Sequence, residues 1–477
     1  MYLGLDLGTS GLKALLINDA QQIVAQHTAA LTVSRPHDGW SEQAPADWIT
    51  ACETAMDAIH AAAPEALAAL KGIGLSGQMH GATLLDAADR PLRPCLLWND
   101  TRAQAQAERL DADPRFRAIS GNIVFAGFTA PKALWVAENE PDTFEKTRKI
   151  FLPKDYLRLW LTGEHVSEMS DAAGTSWLDT GARAWSDALL TASGMLRDQM
   201  PALVEGSDVS GQLRPELAAR WGIRGAVPVA GGAGDNAASA IGAGTIRPGR
   251  GFVSLGTSGV LFAANDAYRP NPESAVHSFC HALPDTWHQM GVILSAASAL
   301  GWFADLVGAR PADLTQALGE TLQAPGEALF LPYLAGERTP YNSATLRARF
   351  EGLSARADRA SLTRAVLEGV AYALKDNQAA LAAAGTPPEP LLAMGGGSRS
   401  SYWLRVIATV LDVPVLLPAE GDFGAAFGAA RLGLLAATGA APEEVCTPPE
   451  IAATIEPERS LSAAFADGYA RFNAAER

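Results

Sequence analysis

The stretch Asp6-Leu7-Gly8-Thr9-Ser10-Gly11 ends one apolar run and opens another, and five of its residues return far downstream as Leu255-Gly256-Thr257-Ser258-Gly259. The flanks repeat as well: each copy is followed by a second apolar run and then by Asn-Asp-Ala, at Asn18–Ala20 and Asn265–Ala267. This pattern reads as two strand–turn–strand hairpins, one opening each half of a duplicated chain. The chemistry of the turn is suggestive. Glycine lets backbone approach a ligand closely, Thr9 and Ser10 add hydroxyl and N–H donors, and the Asp6 carboxylate can hold a magnesium ion through water. One such turn is more often only a polar hairpin. Two of them suit a phosphate chain clasped from both sides, with Gly8, Thr9 and Ser10 on one side and Gly256, Thr257 and Ser258 on the other.

Around the hairpins, strands alternate with helices. Ile23–Thr28, Gly72–Ser76, Val227–Ala230 and Leu391–Met394 read as strands. Helices are expected from about Pro45 to Ala62, over Thr101–Leu110 capped by Asn99 or Asp100, over Lys154–Leu161, and over Ser361–Ala383. Others are expected from the glycine run at Gly395 through Leu411, over Gly424–Thr438 and over Leu461–Asn473. The alternation argues an α/β architecture, with a joint near Gly242–Gly249. At 477 residues the chain exceeds one ordinary core. A net charge of −15 argues against nucleic acid or an anionic membrane as partner. Four scattered cysteines without a CxxC, and an N-terminus that reads as a strand, point to a reducing cytoplasm.

Three more segments carry chemistry. Ser76-Gly77-Gln78-Met79-His80-Gly81 sets an amide, a thioether and an imidazole at a strand end, which suits the hydroxyls of a sugar. Asp235-Asn236 follows Gly231-Gly232-Ala233-Gly234 and precedes a helix. Asp235 there reads first as an N-cap, whose pKa the helix end would lower. Even a weak base serves phosphoryl transfer, which rests on positioning and electrostatics. Gly395-Gly396-Gly397-Ser398 can bring backbone against a flat ring or a phosphate. Two segments are more ambiguous. Trp98 is equally a pocket wall or part of a helix cap. His277–His281 has metal-like residue types but no second cluster to complete a zinc set, so packing is its better reading.

The paired hairpins resemble those of the actin, hexokinase and Hsp70 superfamily. Over essentially its whole length the chain resembles the FGGY-type carbohydrate kinases. Gly127-Phe-Thr-Ala-Pro131-Lys132-Ala-Leu-Trp135-Val-Ala-Glu138-Asn139 is similar to one family signature. Phe350-Glu-Gly352-Leu353 with Leu362–Glu368 is similar to the other, departing at Ser361, where a helix-capping role is expected. Within the family, residues 76–81, Pro153–Leu157, Ser170–Thr175 and Leu334–Pro340 resemble the branch that acts on D-xylulose.

The resemblance implies a two-domain ATPase fold of duplicated ribonuclease H-like domains, divided at 1–245 and 246–477, with a cleft between them. It implies ATP-dependent phosphorylation of D-xylulose to D-xylulose 5-phosphate, which would feed xylose use into the pentose phosphate pathway. Asp235 would accept the proton of the substrate hydroxyl, and Asp6 would help hold Mg²⁺, with Asp235 a second candidate ligand. Gln78, Met79, His80, Asn236 and Trp98 would line the sugar pocket. The hairpins would bind the ATP phosphates, and Gly396 and Gly397 would lie against adenosine. A homodimer follows from the resemblance alone. Rival expectations are a kinase of ribulose, gluconate or another polyol, and an actin- or Hsp70-like ATPase.

Overall fold

The computed structural model describes residues 1–419 and 423–475 and divides into two compact units. The first comprises Met1–Ile246, Phe279–Trp287 and the described residues from Phe423 to Pro448. The second comprises Arg247–Ser278, the described residues from His288 to Ala419, and those from Pro449 onward. Downstream segments therefore return to complete the first unit.

The first unit is built on a seven-stranded sheet. Its main path runs Val209–Gln212, Pro228–Ala230, Gly72–Gly77, Tyr2–Leu7, Gly11–Ile17, Ile23–Ala30, and the short strand Ala233–Gly234 also pairs with Gly72–Gly77. Tyr2–Leu7 forms an antiparallel hairpin with Gly11–Ile17 and lies parallel to Gly72–Gly77. Tyr2, Leu3, Gly4 and Leu5, which alternate between its two faces, are all buried, as expected for a central strand covered on both sides.

One cover is helix Ala425–Thr438, bedded on glycine. A Cβ on Gly74 would stand 1.8 Å from the Ala429 carbonyl oxygen, and one on Gly4 would stand 1.9 Å from that of Ala426. Gly428 repeats the device from the helix side, where a Cβ would stand 1.8 Å from the Ala238 carbonyl oxygen of helix Asp235–Ala243. The buried Arg431 then donates from Nη1 to the carbonyls of Ile241, Gly242 and Thr447 at 3.0, 3.1 and 2.9 Å. The first two of these bonds are to carbonyls in the last turn of the helix that Asp235 begins.

The second unit repeats the plan. The sheet that carries its strands runs His277–Cys280, Trp287–Ile293, Gly259–Asn265, Gly251–Leu255, Leu391–Met394, Val415–Pro418, Ile451–Ile455, with Phe279, Cys280 and Trp287 counted in the first unit. Gly251–Leu255 is antiparallel to Gly259–Asn265 and parallel to Leu391–Met394, the same relation that the first hairpin bears to Gly72–Gly77. The core gathers Val366, Val370 and Leu374 of helix Arg359–Ala383 with Trp403, Phe330 and Leu255.

Three local expectations need correction. The helix read from Thr101 begins at Gln104; Asp100 instead closes the preceding turn, accepting from the Arg102 and Ser41 amides at 3.0 and 2.7 Å. The glycine run does not itself start an α-helix. Gly396–Arg399 forms a 3₁₀ turn, and the α-helix begins at Ser401 with the Ser400 hydroxyl accepting from the Trp403 amide. Ser361 is not the cap of its helix. Asp358 is, and Ser361 answers from the third helical position to complete a capping box.

Candidate active site

In the first unit the sequence-expected residues meet at the C-terminal ends of neighbouring strands, where open α/β sheets bind ligands. Asp6 pairs with Ser76, and Ser76 pairs with Ala233, so Asp6 and Asp235 stand two strands apart at the same end of the sheet. A Cβ on Gly234 would lie 2.8 Å from the Met79 side chain, which places the 76–81 loop against the Asp235 turn.

Asp235 is the first residue of its helix rather than the cap, which is Gly234. Its Oδ1 accepts from the amide and the side-chain nitrogen of Asn236 at 2.7 and 2.9 Å. Desolvation by the surrounding chain, followed by the charge of Asp6, nevertheless pushes its pKa up to about 7. The expected lowering is thus overturned: the neighbouring carboxylate and the lost solvent outweigh the helix end. Two carboxylates that raise one another's energy in this way suit a divalent cation. Among the described residues no group of three or more His, Cys, Asp or Glu side chains is arranged to hold a metal. A cation here would therefore take its remaining ligands from phosphate and water, which is how Mg²⁺ is commonly bound.

The turn at Gly8–Ser10 is tied to the 76–81 loop by a ring of hydrogen bonds. The Thr9 hydroxyl donates to Gln78 Oε1 at 3.0 Å, Gln78 Nε2 donates to Gln43 Oε1 at 3.0 Å, and Gln43 Nε2 donates to the Thr9 carbonyl at 2.7 Å. Trp98 Nε1 donates to the Thr9 hydroxyl at 3.0 Å while the indole stays 46% exposed, and Trp98 caps no helix, since Gln104–Asp111 starts after Ala103. His80 adopts φ 70°, stacks on Phe128 at 4.5 Å, and sets Nδ1 2.7 Å from the Gly174 carbonyl oxygen. That carbonyl fixes the proton on Nδ1, which makes Nε2 the acceptor edge of the neutral ring.

Beneath the site lies a buried charge cluster. Lys154 Nζ is 2.8 Å from Asp155, 3.1 Å from Glu168 and 3.0 Å from Asp171, and Arg158 is 2.8 Å from Asp155. Burial works against the Lys154 charge, yet the three carboxylates hold its pKa above the ordinary lysine range. Burial, with Asp155 and Glu168 alongside, pushes Asp171 up to about 8 against the pull of Lys154. The folded chain then binds this proton more tightly than the unfolded chain, so the associated stability is full in acid and is lost as pH rises toward 8. Asp171→Asn is expected to flatten the fall in urea midpoint between pH 6 and pH 9. Equal falls in the variant and the parent would reject this role.

In the second unit, the Gly256–Ser258 turn faces the start of helix Ala297–Leu306. The Ala297 amide donates to the Gly256 carbonyl at 2.8 Å, and the Ser298 hydroxyl donates to that of Thr257 at 2.7 Å. Gly395–Gly397 packs on the same hairpin: a Cβ on Gly395 or Gly397 would lie 2.9 or 2.7 Å from Leu255. Gly396 faces open space, where Gly396, Gly397, Ala297, Leu300, Thr315 and Tyr402 line part of a cavity of ≈ 730 Å³. This volume is suited to a ligand of nucleoside size. His277–Cys280 is a fully buried strand.

Sequence reasoning missed Gln43, whose two-residue strand carries no signal, and Lys13. The latter was countable from the turn: Leu7 pairs with Leu12, so Asp6 pairs with Lys13 and both project from one face.

Comparison with known proteins decides the family. Residues 1–242 match the N-terminal domain of the FGGY family of carbohydrate kinases, and residues 251–437 match its C-terminal domain. The chain belongs to the FGGY family. It is 50% identical over 439 residues to a xylulose kinase of Escherichia coli K12, covering 92% of this chain and 90% of that one. A crystal structure from Brucella ovis, described as a xyloylose kinase, is 67% identical and superposes with a TM-score of 0.98, covering 99% of this chain and 98% of the other. A xylulose kinase structure from Rhodospirillum rubrum is 29% identical with a TM-score of 0.92 over 99% of this chain and 97% of its own. The FGGY assignment accounts for the two-domain duplicated α/β fold. Among the described residues no helix is long and apolar enough to cross a membrane.

Proposed function

We propose that this FGGY kinase transfers the γ-phosphoryl group of ATP to the C5 hydroxyl of D-xylulose, giving ADP and D-xylulose 5-phosphate, and so feeds xylose use into the pentose phosphate pathway. The observation that carries the reading is the Asp235 carboxylate, carried by a turn that packs on Met79 and repelled by Asp6, in a chain half identical to a xylulose kinase. Asp235 orients the hydroxyl and takes its proton as the bond to phosphorus forms. His80, with its acceptor edge at Nε2, and Asn236 suit the remaining sugar hydroxyls, and Trp98 closes one wall. Lys13, opposite Asp6 in register, is a cation of the right sign for phosphate. The two turns would receive the phosphates, and the cavity beside Gly396 and Gly397 the adenosine. Asp6 would hold Mg²⁺ through water with Asp235 alongside, and the ion supplies charge neutralisation when bound. A cytoplasmic setting and a homodimeric assembly belong to the same proposal.

The test is ADP release with Mg-ATP across D-xylulose, L-xylulose, both ribuloses, D-gluconate, glycerol and a no-sugar control. Strong preference for D-xylulose is expected. Preference for another polyol would displace the substrate while keeping the chemistry. Equal release without sugar would overturn the kinase reading in favour of a plain ATPase.

A further inference from the structure

Asp235 is delivered to the site by a four-residue turn, Gly231–Gly234, whose backbone must be held if the carboxylate is to keep its place. Gly232 has φ 77°, and a Cβ there would stand 2.3 Å from the Leu75 carbonyl oxygen, so the turn passes where only glycine fits. Two amides of the turn are anchored to a neighbouring loop: Gly231 N–H donates to Asp208 O at 2.8 Å and Gly232 N–H to Gly206 O at 2.9 Å. Beyond the pairing of Ala233–Gly234 with Gly72–Gly77, two further anchors come from the buried charge cluster. Arg158 Nη2 donates to the Gly231 carbonyl at the start of the turn. At its end, the Gly234 N–H donates to the Ser170 hydroxyl at 3.1 Å.

Ser170 is itself fixed. Its hydroxyl donates to Glu168 Oε2 at 2.8 Å, and the same oxygen accepts from the Ser170 amide at 2.7 Å. Glu168 Oε1 accepts from the Asp171 amide at 3.0 Å and lies 3.1 Å from Lys154 Nζ. Arg158 is held by Asp155 at 2.8 Å and donates to Val166 O at 2.6 Å, while Asp155 accepts from the Ser167 hydroxyl at 2.6 Å. Lys154, Asp155, Arg158, Glu168, Ser170 and Asp171 are all wholly buried. A buried ionic cluster is a poor source of net stability, because desolvation offsets the attraction. What it does provide is stiffness in a low-dielectric setting, where each partner has one good arrangement.

We infer that Ser170 is a positioning residue for the phosphoryl-transfer step: it sets the amide immediately before Asp235 and ties it to the Lys154–Glu168 ion pair, with Arg158 holding the other end of the same turn. The inference rests on the proposed role of Asp235. It predicts a selective loss, since a carboxylate displaced by a fraction of an ångström still leaves the Met79–His80 pocket intact.

The experiment compares Ser170→Ala, Ser170→Cys and Asp235→Asn in the full-length protein. Ser170→Ala is expected to lower kcat by roughly tenfold or more with the KM for D-xylulose within about twofold. Ser170→Cys keeps a weak acceptor at the position and is expected to fall between the alanine variant and the parent. Amide exchange over residues 231–235, read by mass spectrometry, should speed up in Ser170→Ala. Unchanged kcat in Ser170→Ala, or a KM that rises in step with the loss of kcat, overturns the positioning role. Should Ser170→Ala prove too unstable to assay, Ser170→Cys decides: a kcat equal to the parent overturns the role, and a selective fall supports it. Full turnover in Asp235→Asn removes the reading of Asp235 itself, an outcome distinguishable from failure of Ser170 alone.

Discussion

Replacing Asp235 with asparagine is expected to lower sugar phosphorylation by roughly 10²–10⁴-fold, the usual worth of a positioned acid–base group. Asparagine keeps the shape and an Oδ1 that accepts from the Asn236 amide, so the helix start survives. The substitution also removes the repulsion from Asp6, which contributes to a carboxyl pKa of about 7. The variant should therefore unfold at the same temperature as the parent or slightly above it at pH 8. Loss of activity with stability retained or gained is the signature of a site that holds strain for function. A coupled ADP assay and a thermal melt on one preparation read both. Turnover within tenfold of the parent would sink the proton-acceptor role.

The second large effect is structural and comes from a pair of identical substitutions with opposite signs. Gly74→Ala places a methyl group 1.8 Å from the Ala429 carbonyl oxygen and 2.8 Å from the Gly433 amide nitrogen. Both are backbone atoms of helix Ala425–Thr438, so no side chain can swing aside. The helix must lift from strand Gly72–Gly77, and a loss of about 3 kcal/mol or more is expected, at the top of the overpacking range. Gly301→Ala, inside helix Ala297–Leu306, meets nothing within 4 Å. There the methyl group only restricts the unfolded chain, and a gain of about 0.5–1 kcal/mol is expected. Urea unfolding of the two variants tests the contrast. Equal midpoints would show that the glycine bed carries no packing constraint.

Much of the fold was legible because its decisive signals are local. The Leu-Gly-Thr-Ser-Gly repeat, with its apolar flanks, gives both hairpins, and strands such as Leu391–Met394 are bounded by turn residues that announce them. The candidate site was legible wherever a strand ended in an unusual cluster, as at residues 76–81 and 233–236. The rest depends on distances in space that no sequence window spans. Gln43 matters because it closes a ring with Thr9 and Gln78. Lys154, Asp155 and Arg158 lie on one helix and are wholly buried: Asp155 pairs with Lys154 and Arg158 beside it, and Lys154 reaches Glu168 and Asp171 on other elements. The direction of the Asp235 pKa escaped because a helix end is visible in sequence, whereas the burial of the carboxyl and the charge of Asp6 are not.

Helix Ala425–Thr438 also bears on how the protein is made. The ribosome delivers strands Tyr2–Leu7 and Gly72–Gly77 early, with Gly4, Gly72 and Gly74 leaving a furrow that no segment up to Ile246 fills. Its cover follows nearly 200 residues after Ile246, on the order of 10–40 s later at ordinary elongation rates. Throughout that interval the nascent first unit is an open-faced sheet of apolar strands, the kind of surface that chaperones cover. The last turn of Ala425–Thr438 to emerge, rather than the last residue of the N-terminal half, marks the moment at which the first unit can close its core.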